Sequence, residues 1–252
     1  MAISLKPIAA ALLALSVSVA APAMALDDKQ KEEFGAFIKE YLIQNPEILL
    51  DVQTALQEKQ EKARTVAASQ AVESNKDAIF AAKGDMVLGN PKGDVTVVEF
   101  FDYNCGYCKH ALEDMNTILE QDKNVRFVLK ELPILGPDSM AAHKVSAAFK
   151  QIAPEKYADF HRTLLGAEGR ATEESAIEVA SALGVTEDAI RKQMAAAPGD
   201  AEVKQAYQLA GALGVSGTPS YVVGNEAVFG AVGAGALQEK IANVRACGKT
   251  EC

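Results

Sequence analysis

Tryptophan is absent from these 252 residues, and cysteine occurs only four times. So few cysteines exclude a miniature scaffold stapled by many disulfides. Positive charge is also scarce: 25 Lys and Arg stand against 34 Asp and Glu, a formal net charge of −9. Such a chain is a poor partner for nucleic acid or for an anionic membrane surface. Beyond the first 25 residues no run is long and apolar enough to cross a bilayer.

The opening residues are different. Lys6 is a basic flank, residues 8–21 are apolar and small, and Ala23-Met24-Ala25 fits the small-residue pattern at which signal peptides are cut. An uncleaved anchor is the other reading, but the run is short and no basic stop-transfer flank follows. Residues 1–25 are therefore expected to be a signal peptide, with the mature chain beginning near Leu26 in an oxidising space. Loss of Lys6 leaves 24 basic against 34 acidic residues, so −9 becomes −10. The remainder is long enough for one domain with a sizeable core and an additional element.

The chemistry concentrates in one stretch. The β-branched and aromatic run at residues 95–101 stops at Asp102, and Cys105-Gly106-Tyr107-Cys108 follows. Leu112, Met115, Ile118 and Leu119 then recur at helical spacing. A buried strand thus delivers a Cys-x-x-Cys to the first turn of a helix, where unpaired N–H groups and the helix dipole favour negative charge. A thiol there ionises below the ~8.5 of free cysteine, and the thiolate is the reactive form. Cys105, first in the turn and nearer solvent, is the expected nucleophile, and Cys108 its resolving partner. A zinc site would need a second pair of ligands, yet the other thiols, Cys247 and Cys252, are distant and differently spaced. A two-residue loop at a helix start is also poorly placed to act as an inert staple.

Residues 26–83 read as helix. Phe34, Phe37, Ile38, Tyr41 and Leu42 share a face, Asn45-Pro46 marks a break, and Ile48, Leu49, Val52, Ala55 and Leu56 continue an apolar stripe. After Gln57 the stripe thins into a charged, helix-forming run. So short a hairpin cannot bury two such faces alone. It either folds back on the catalytic domain or, the preferred reading, joins identical chains into a homo-oligomer.

From residue 84 the pattern is an edge strand at 85–88, strand, helix and strand through Val125 to Glu131, and then helices over about 138–213. Within that helical run Ala-Leu-Gly-Val ends two segments, at 182–185 and 212–215, each fitting a glycine-closed helix terminus. A hairpin at 220–229 and a helix at 235–246 complete the chain. The expected class is α/β, with residues 84–252 as a redox domain carrying a helical insertion.

The sequence resembles the DsbA family of exported thiol–disulfide oxidoreductases, which have a thioredoxin fold with a helical insertion. The likeness covers about 85–246 and rests on residues 97–109 and on Gly217-Thr218-Pro219, which resembles the family's cis-proline loop. The N-terminal helices, with Asn45-Pro-Glu-Ile-Leu-Leu50, resemble the branch containing suppressor of copper sensitivity protein C, whose members oligomerise through such a segment. Gly106-Tyr107 and Thr218 resemble the periplasmic isomerase DsbC, whereas DsbA itself has Pro-His between its cysteines and valine before the cis-proline. The tryptophan that precedes the motif in thioredoxin is lacking.

The resemblance implies a periplasmic disulfide isomerase or reductase, with a DsbA-like dithiol oxidase and a copper(I)-binding protein in copper tolerance as alternatives. Its partners would be cysteine-containing exported proteins and a membrane redox protein. No cofactor is required, though Cys105 and Cys108 could hold copper(I). Gly106, Tyr107, Thr218 and Pro219 are expected to meet substrate, with the Thr218 backbone pairing with an extended chain.

Glu99 sits six residues before Cys105, where the family has a buried acid that could relay a proton from Cys108. Its other reading is a surface-facing strand residue, and Lys130 is its candidate charge partner. Pro219 is expected to be cis, with an ordinary trans turn as the alternative. Cys247 and Cys252 either close a small structural disulfide or remain free. His110, on the helix after the motif, reads as a solvated surface histidine, and His143 and His161 as ordinary helix residues rather than ligands.

Overall fold

The computed structural model describes residues 27–80 and 84–252. The signal-peptide expectation for residues 1–25 lies outside them. Contacts divide the chain between Leu56 and Gln57, so the segment expected at 26–83 includes residues on both sides of this division.

The first unit holds α1 (Asp28–Gln44) and the beginning of α2 (Glu47–Ser74). Asp27 caps α1 by a capping box with Gln30, which satisfies donors the helix leaves unpaired. Asn45 closes it, donating its backbone N–H to the Tyr41 carbonyl, and Pro46 precedes α2 at a permitted position. No residue of α1 is buried, and Phe34, Phe37, Ile38 and Tyr41 are exposed together with Leu49, Leu50, Val52 and Leu56.

In the second unit α2 ends and α3 (Lys76–Phe80) follows. The remaining elements are β1 (Met86–Gly89), β2 (Val95–Phe101), α4 (Gly106–Gln121) and β3 (Val125–Glu131). A run of five helices comes next: α5 (Pro137–Ile152), α6 (Tyr157–Gly166), α7 (Glu173–Ala182), α8 (Glu187–Ala196) and α9 (Asp200–Ala212). β4 (Ser220–Val223), β5 (Glu226–Phe229) and α10 (Ala234–Cys247) close the chain. The five strands form one mixed sheet in the order β1-β3-β2-β4-β5, with β2 and β3 parallel and the other pairs antiparallel. This is the expected thioredoxin-like frame, β, βαβ, helices and ββα.

β2 is central and covered on both faces, which is why it reads as a nearly unbroken apolar run. Val97 and Phe101 pack on the side of α4, α5, α6 and α10, whereas Val98 and Phe100 pack against α3, α9 and the end of α2. The glycines of the two Ala-Leu-Gly-Val segments, Gly184 and Gly214, adopt φ of +87° and +70°. In each, the next valine donates back into the helix, Val185 to Ala180 and Val215 to Ala210. Both are helix terminators, as the sequence predicts.

Candidate active site

The redox turn is built by side chains that replace the strand's lost ladder. Asp102 is buried, and its two oxygens accept from the N–H of Asn104 at 2.8 Å and of Leu135 at 2.9 Å. The Cys105 N–H donates to the Asp102 carbonyl at 3.0 Å. Cys105 is then the N-cap of α4, with extended backbone, and its own carbonyl accepts from Cys108 and Lys109. The unpaired N–H groups of the first turn are left around its sulfur.

Cys105 is held at about 5, first because the Cys108 thiol donates to its sulfur. The Thr218 side chain and the N–H groups of Cys108 and Tyr107 act in the same direction, against the cost of burial. The same contact drives the Cys108 thiol upward, reinforced by its own burial. One thiol is therefore an anion at neutral pH while its neighbour keeps its proton. Both cysteines are free in this structure. Cys105 is more enclosed than the sequence reading expects, at 6% exposure, against 0% for Cys108.

What covers it is the loop before β4. The Thr218–Pro219 peptide is cis, and the Thr218 carbonyl accepts from the Cys105 sulfur at 3.1 Å. That contact belongs to the neutral thiol and is given up on ionisation. Register places the loop here: Ser220 pairs with Phe100, so β4 begins beside the end of β2. The Pro219 carbonyl is held by Gly230 N–H at 3.0 Å, and Ser220 Oγ donates to the Gly217 carbonyl at 2.8 Å. Between the cysteines, Gly106 is exposed and Tyr107 projects outward at 68% exposure, next to the nucleophile.

Glu99 is buried rather than surface-facing, and its Oε2 has no partner. Burial, followed by the nearby charges of Asp114 and Cys105, pushes its carboxyl up to about 8. Lys130 does not partner it. In the β2–β3 register Lys130 lies opposite Phe100 while Leu129 lies opposite Glu99, so the two side chains take opposite faces. Lys130 instead pairs with Asp85 at 2.6 Å.

The remaining candidates lie elsewhere. Cys247 and Cys252 form a disulfide at the end of α10, near the β4–β5 turn where Thr250 N–H meets Asn225. His110 is exposed. His143 and His161 are both buried, and His143 is more than an ordinary helix residue. Its Nδ1 lies 2.6 Å from Glu131, whose other oxygen accepts from Ser146 at 2.6 Å and Tyr157 at 2.8 Å. Ser146 also meets the Tyr103 hydroxyl at 3.1 Å, two residues before Cys105. This network joins β3, α5, α6 and the redox turn. The only trace of it in the sequence is an acid closing an apolar strand. Among the described residues no cluster of three or more His, Cys, Asp or Glu is arranged to hold a metal ion.

A model of the DsbA-like thioredoxin domain matches residues 96–242. The chain belongs to this family. Residues 30–63 also match the N-terminal domain of the copper resistance protein ScsC. Among solved structures, a thioredoxin-like oxidoreductase from Silicibacter pomeroyi DSS-3 is 40% identical at a TM-score of 0.65, over 69% of this chain and 99% of that one. Proteus mirabilis ScsC in a compact conformation is 26% identical at 0.60, over 86% and 98%. The Na(+)/H(+) antiporter NhaA 3 of Salinispora tropica is 30% identical over 142 residues, 55% of this chain. The chain spans only 21% of that antiporter's length. The matched family region runs from β2 into α10, and so includes both cysteines of the redox turn and the cis-proline loop.

Proposed function

We propose that the chain is an exported thiol–disulfide interchange protein, working in the periplasm as an oligomeric disulfide isomerase or reductase. The observation that carries this reading is the placing of the Cys105 sulfur at the N-terminus of α4, beside the cis-Pro219 loop, where the Cys108 thiol and first-turn N–H groups favour its anion. The thiolate attacks one sulfur of a substrate disulfide, forming a mixed disulfide and releasing the other sulfur as a thiolate. A different thiolate of the same substrate can then attack the substrate sulfur of the mixed bond, with Cys105 as the leaving thiolate. The substrate disulfide is thereby re-formed in a new pairing and Cys105 is regenerated with no net redox change.

Alternatively, Cys108 attacks Cys105, the substrate leaves with two thiols, and Cys105–Cys108 is oxidised. Two electrons from a membrane dithiol partner then restore it. Glu99, buried below the pair, would accept the Cys108 proton in this second route. Gly106 and Tyr107, with the Thr218 backbone and Pro219, would meet the substrate.

Isomerisation is favoured over forced oxidation by the Gly-Tyr dipeptide, which supplies no charged donor to the sulfur. It is also favoured by the exposed apolar residues of α1 and α2, which suit association with identical chains. Refolding of a scrambled disulfide-bonded protein tests this, run with the mature chain and with Phe37→Glu/Tyr41→Glu, alongside a solution mass. Expected is an active oligomer and a variant that is monomeric and deficient in isomerisation. Two equally active monomers would remove the oligomeric-isomerase reading in favour of a dithiol oxidase.

The match to a copper resistance protein's N-terminal domain favours copper(I) binding as a second role. Two soft thiolates in one turn suit that ion. Cu(I) competition against a chromogenic chelator should show binding by the reduced chain, lost in Cys105→Ser/Cys108→Ser.

A further inference from the structure

One surface segment grips the redox turn from both sides. Residues 166–171 run from the end of α6 towards α7; 166–170 are exposed and Ala171 is buried. Before the cysteines, the Asn104 amide engages Ala171 in both directions. Its Nδ2 donates to the Ala171 carbonyl at 2.9 Å, and its Oδ1 accepts the Ala171 N–H at 2.8 Å. Nδ2 also donates to Ser139 Oγ at 3.1 Å, at the start of α5. After the cysteines, Lys109 Nζ donates to the carbonyls of Ala167 at 2.5 Å and Gly169 at 3.0 Å. These lie just beyond the C-terminus of α6, where carbonyls lack helical partners and a cation is favoured.

We propose that Asn104 and Lys109 are positioning residues for thiol–disulfide exchange, clamping segment 166–171 to the two flanks of the Cys105–Cys108 turn and so holding the nucleophilic sulfur in register with the Cys108 thiol and the N–H groups of the first turn of α4. The inference rests on the exchange reading given above.

The physical need is specific. Cys105 has no side-chain cap to fix it, and the chain between Phe101 and Gly106 has no strand ladder. Its direction is set by Asp102, which reaches to Leu135, and by Asn104, which reaches to Ala171 and Ser139. The amide donates and accepts at one residue's backbone, whereas aspartate would keep only the accepting half of the contact and add a charge repelling the thiolate. Hydrogen bonds to a thiolate weaken steeply with misalignment, so a small rotation of the turn is felt at the sulfur. Lys109, though close to the thiolate in sequence, spends its ammonium on the two carbonyls instead.

The test is thiolate absorbance against pH in the reduced mature chain, for the native sequence, Asn104→Ala, Lys109→Ala, Lys109→Arg and the Asn104→Ala/Lys109→Ala double variant, with melting recorded beside it. Loss of one aligned bond should raise the Cys105 midpoint by about one unit in Asn104→Ala. Lys109→Ala should raise it by less, Lys109→Arg should stay near native, and the double variant should fall short of the sum because both act through one segment. If Asn104→Ala does not fold, Lys109→Ala at the surface carries the test with its arginine rescue. Unchanged Cys105 midpoints in the alanine variants, whatever their melting, would overturn the clamp as a positioning device. A native chain that itself titrates like a free thiol is a different result, and it would remove the exchange reading first.

Discussion

Glu131 and His143 form a buried ion pair, with Oε2 and Nδ1 2.6 Å apart. Burial alone would push His143 down, but the Glu131 charge and hydrogen bond outweigh it and hold the imidazole above its ordinary value. Burial would likewise raise Glu131, yet His143 above all, with Lys150 and Ser146, holds it at about 2. The two contributions to stability have opposite pH limits. The His143 part is fully present below about 6.5 and disappears as pH rises through its raised folded value. The Glu131 part is present above 4.5, the carboxyl's ordinary value, and is lost as pH falls toward 2. His143→Ala, which leaves a buried carboxylate uncompensated, should therefore cost about 3–5 kcal/mol near pH 5.5 and less at pH 9. Urea unfolding at the two pH values measures this, and a difference that grows with pH would contradict the pair.

That pair also shows where sequence reading stops. The redox turn was legible because it combines a two-sided buried strand, a fixed cysteine spacing and helical periodicity within twenty-five residues, all local signals. The terminators at Gly184 and Gly214 were legible for the same reason, since only glycine adopts their backbone at low cost. Glu131 and His143 meet across a β3–α5 connection, and no pattern in either segment marks the other. That the candidate partner Lys130 faces away from Glu99 depends on the β2–β3 register, which neither strand encodes alone. Helix α5 begins at Pro137, one residue before the helical run expected from about 138. Proline at a first helical position, after Gly136 at φ +107°, is what the chain adopts there.

Cys108 contributes most to the acidity of Cys105, since its thiol is the first cause of the lowered value. Cys108→Ala should therefore shift the Cys105 midpoint upward from about 5, toward the free-thiol range, while leaving the N–H contributions in place. Alkylation of Cys105 at pH 6 should slow accordingly, because less of it is thiolate. An unchanged rate profile would mean that the helix terminus alone sets the acidity.

Arg64 of α2 lies over the Phe229 ring, 3.6 Å from its centroid, and donates to the Gly214 carbonyl at 3.1 Å. Further along the same helix Ala68 and Val72 are buried. The arginine thus fixes this part of α2 to β5 and to the terminator of α9. Its loss should cost about 1 kcal/mol or somewhat more, a cation over an aromatic face plus one charged hydrogen bond. In Arg64→Ala, amide exchange should accelerate across residues 57–74 while β2 and α4 keep their protection. Exchange unchanged along α2 would show that Ala68 and Val72 suffice.

Glu99 combines a cost to the fold with a use in the proposed reaction. Its carboxyl is unpartnered and pushed up to about 8, so the folded state holds a proton that the unfolded chain releases at lower pH. Stability is consequently lost as pH rises from about 4.5 through 8. Glu99→Gln, which removes the ionisation, should be the more stable protein above pH 8 and should flatten this decline. The same substitution removes the group placed to take the Cys108 proton. Resolution of a preformed mixed disulfide on Cys105 should then slow on the order of a hundredfold, and the pH–rate inflection near the Glu99 value should vanish. Formation of the mixed disulfide by Cys105 should be little affected, because that step needs no proton from Cys108. If both steps slow equally with the inflection intact, Glu99 acts on the fold alone and the proton takes another route.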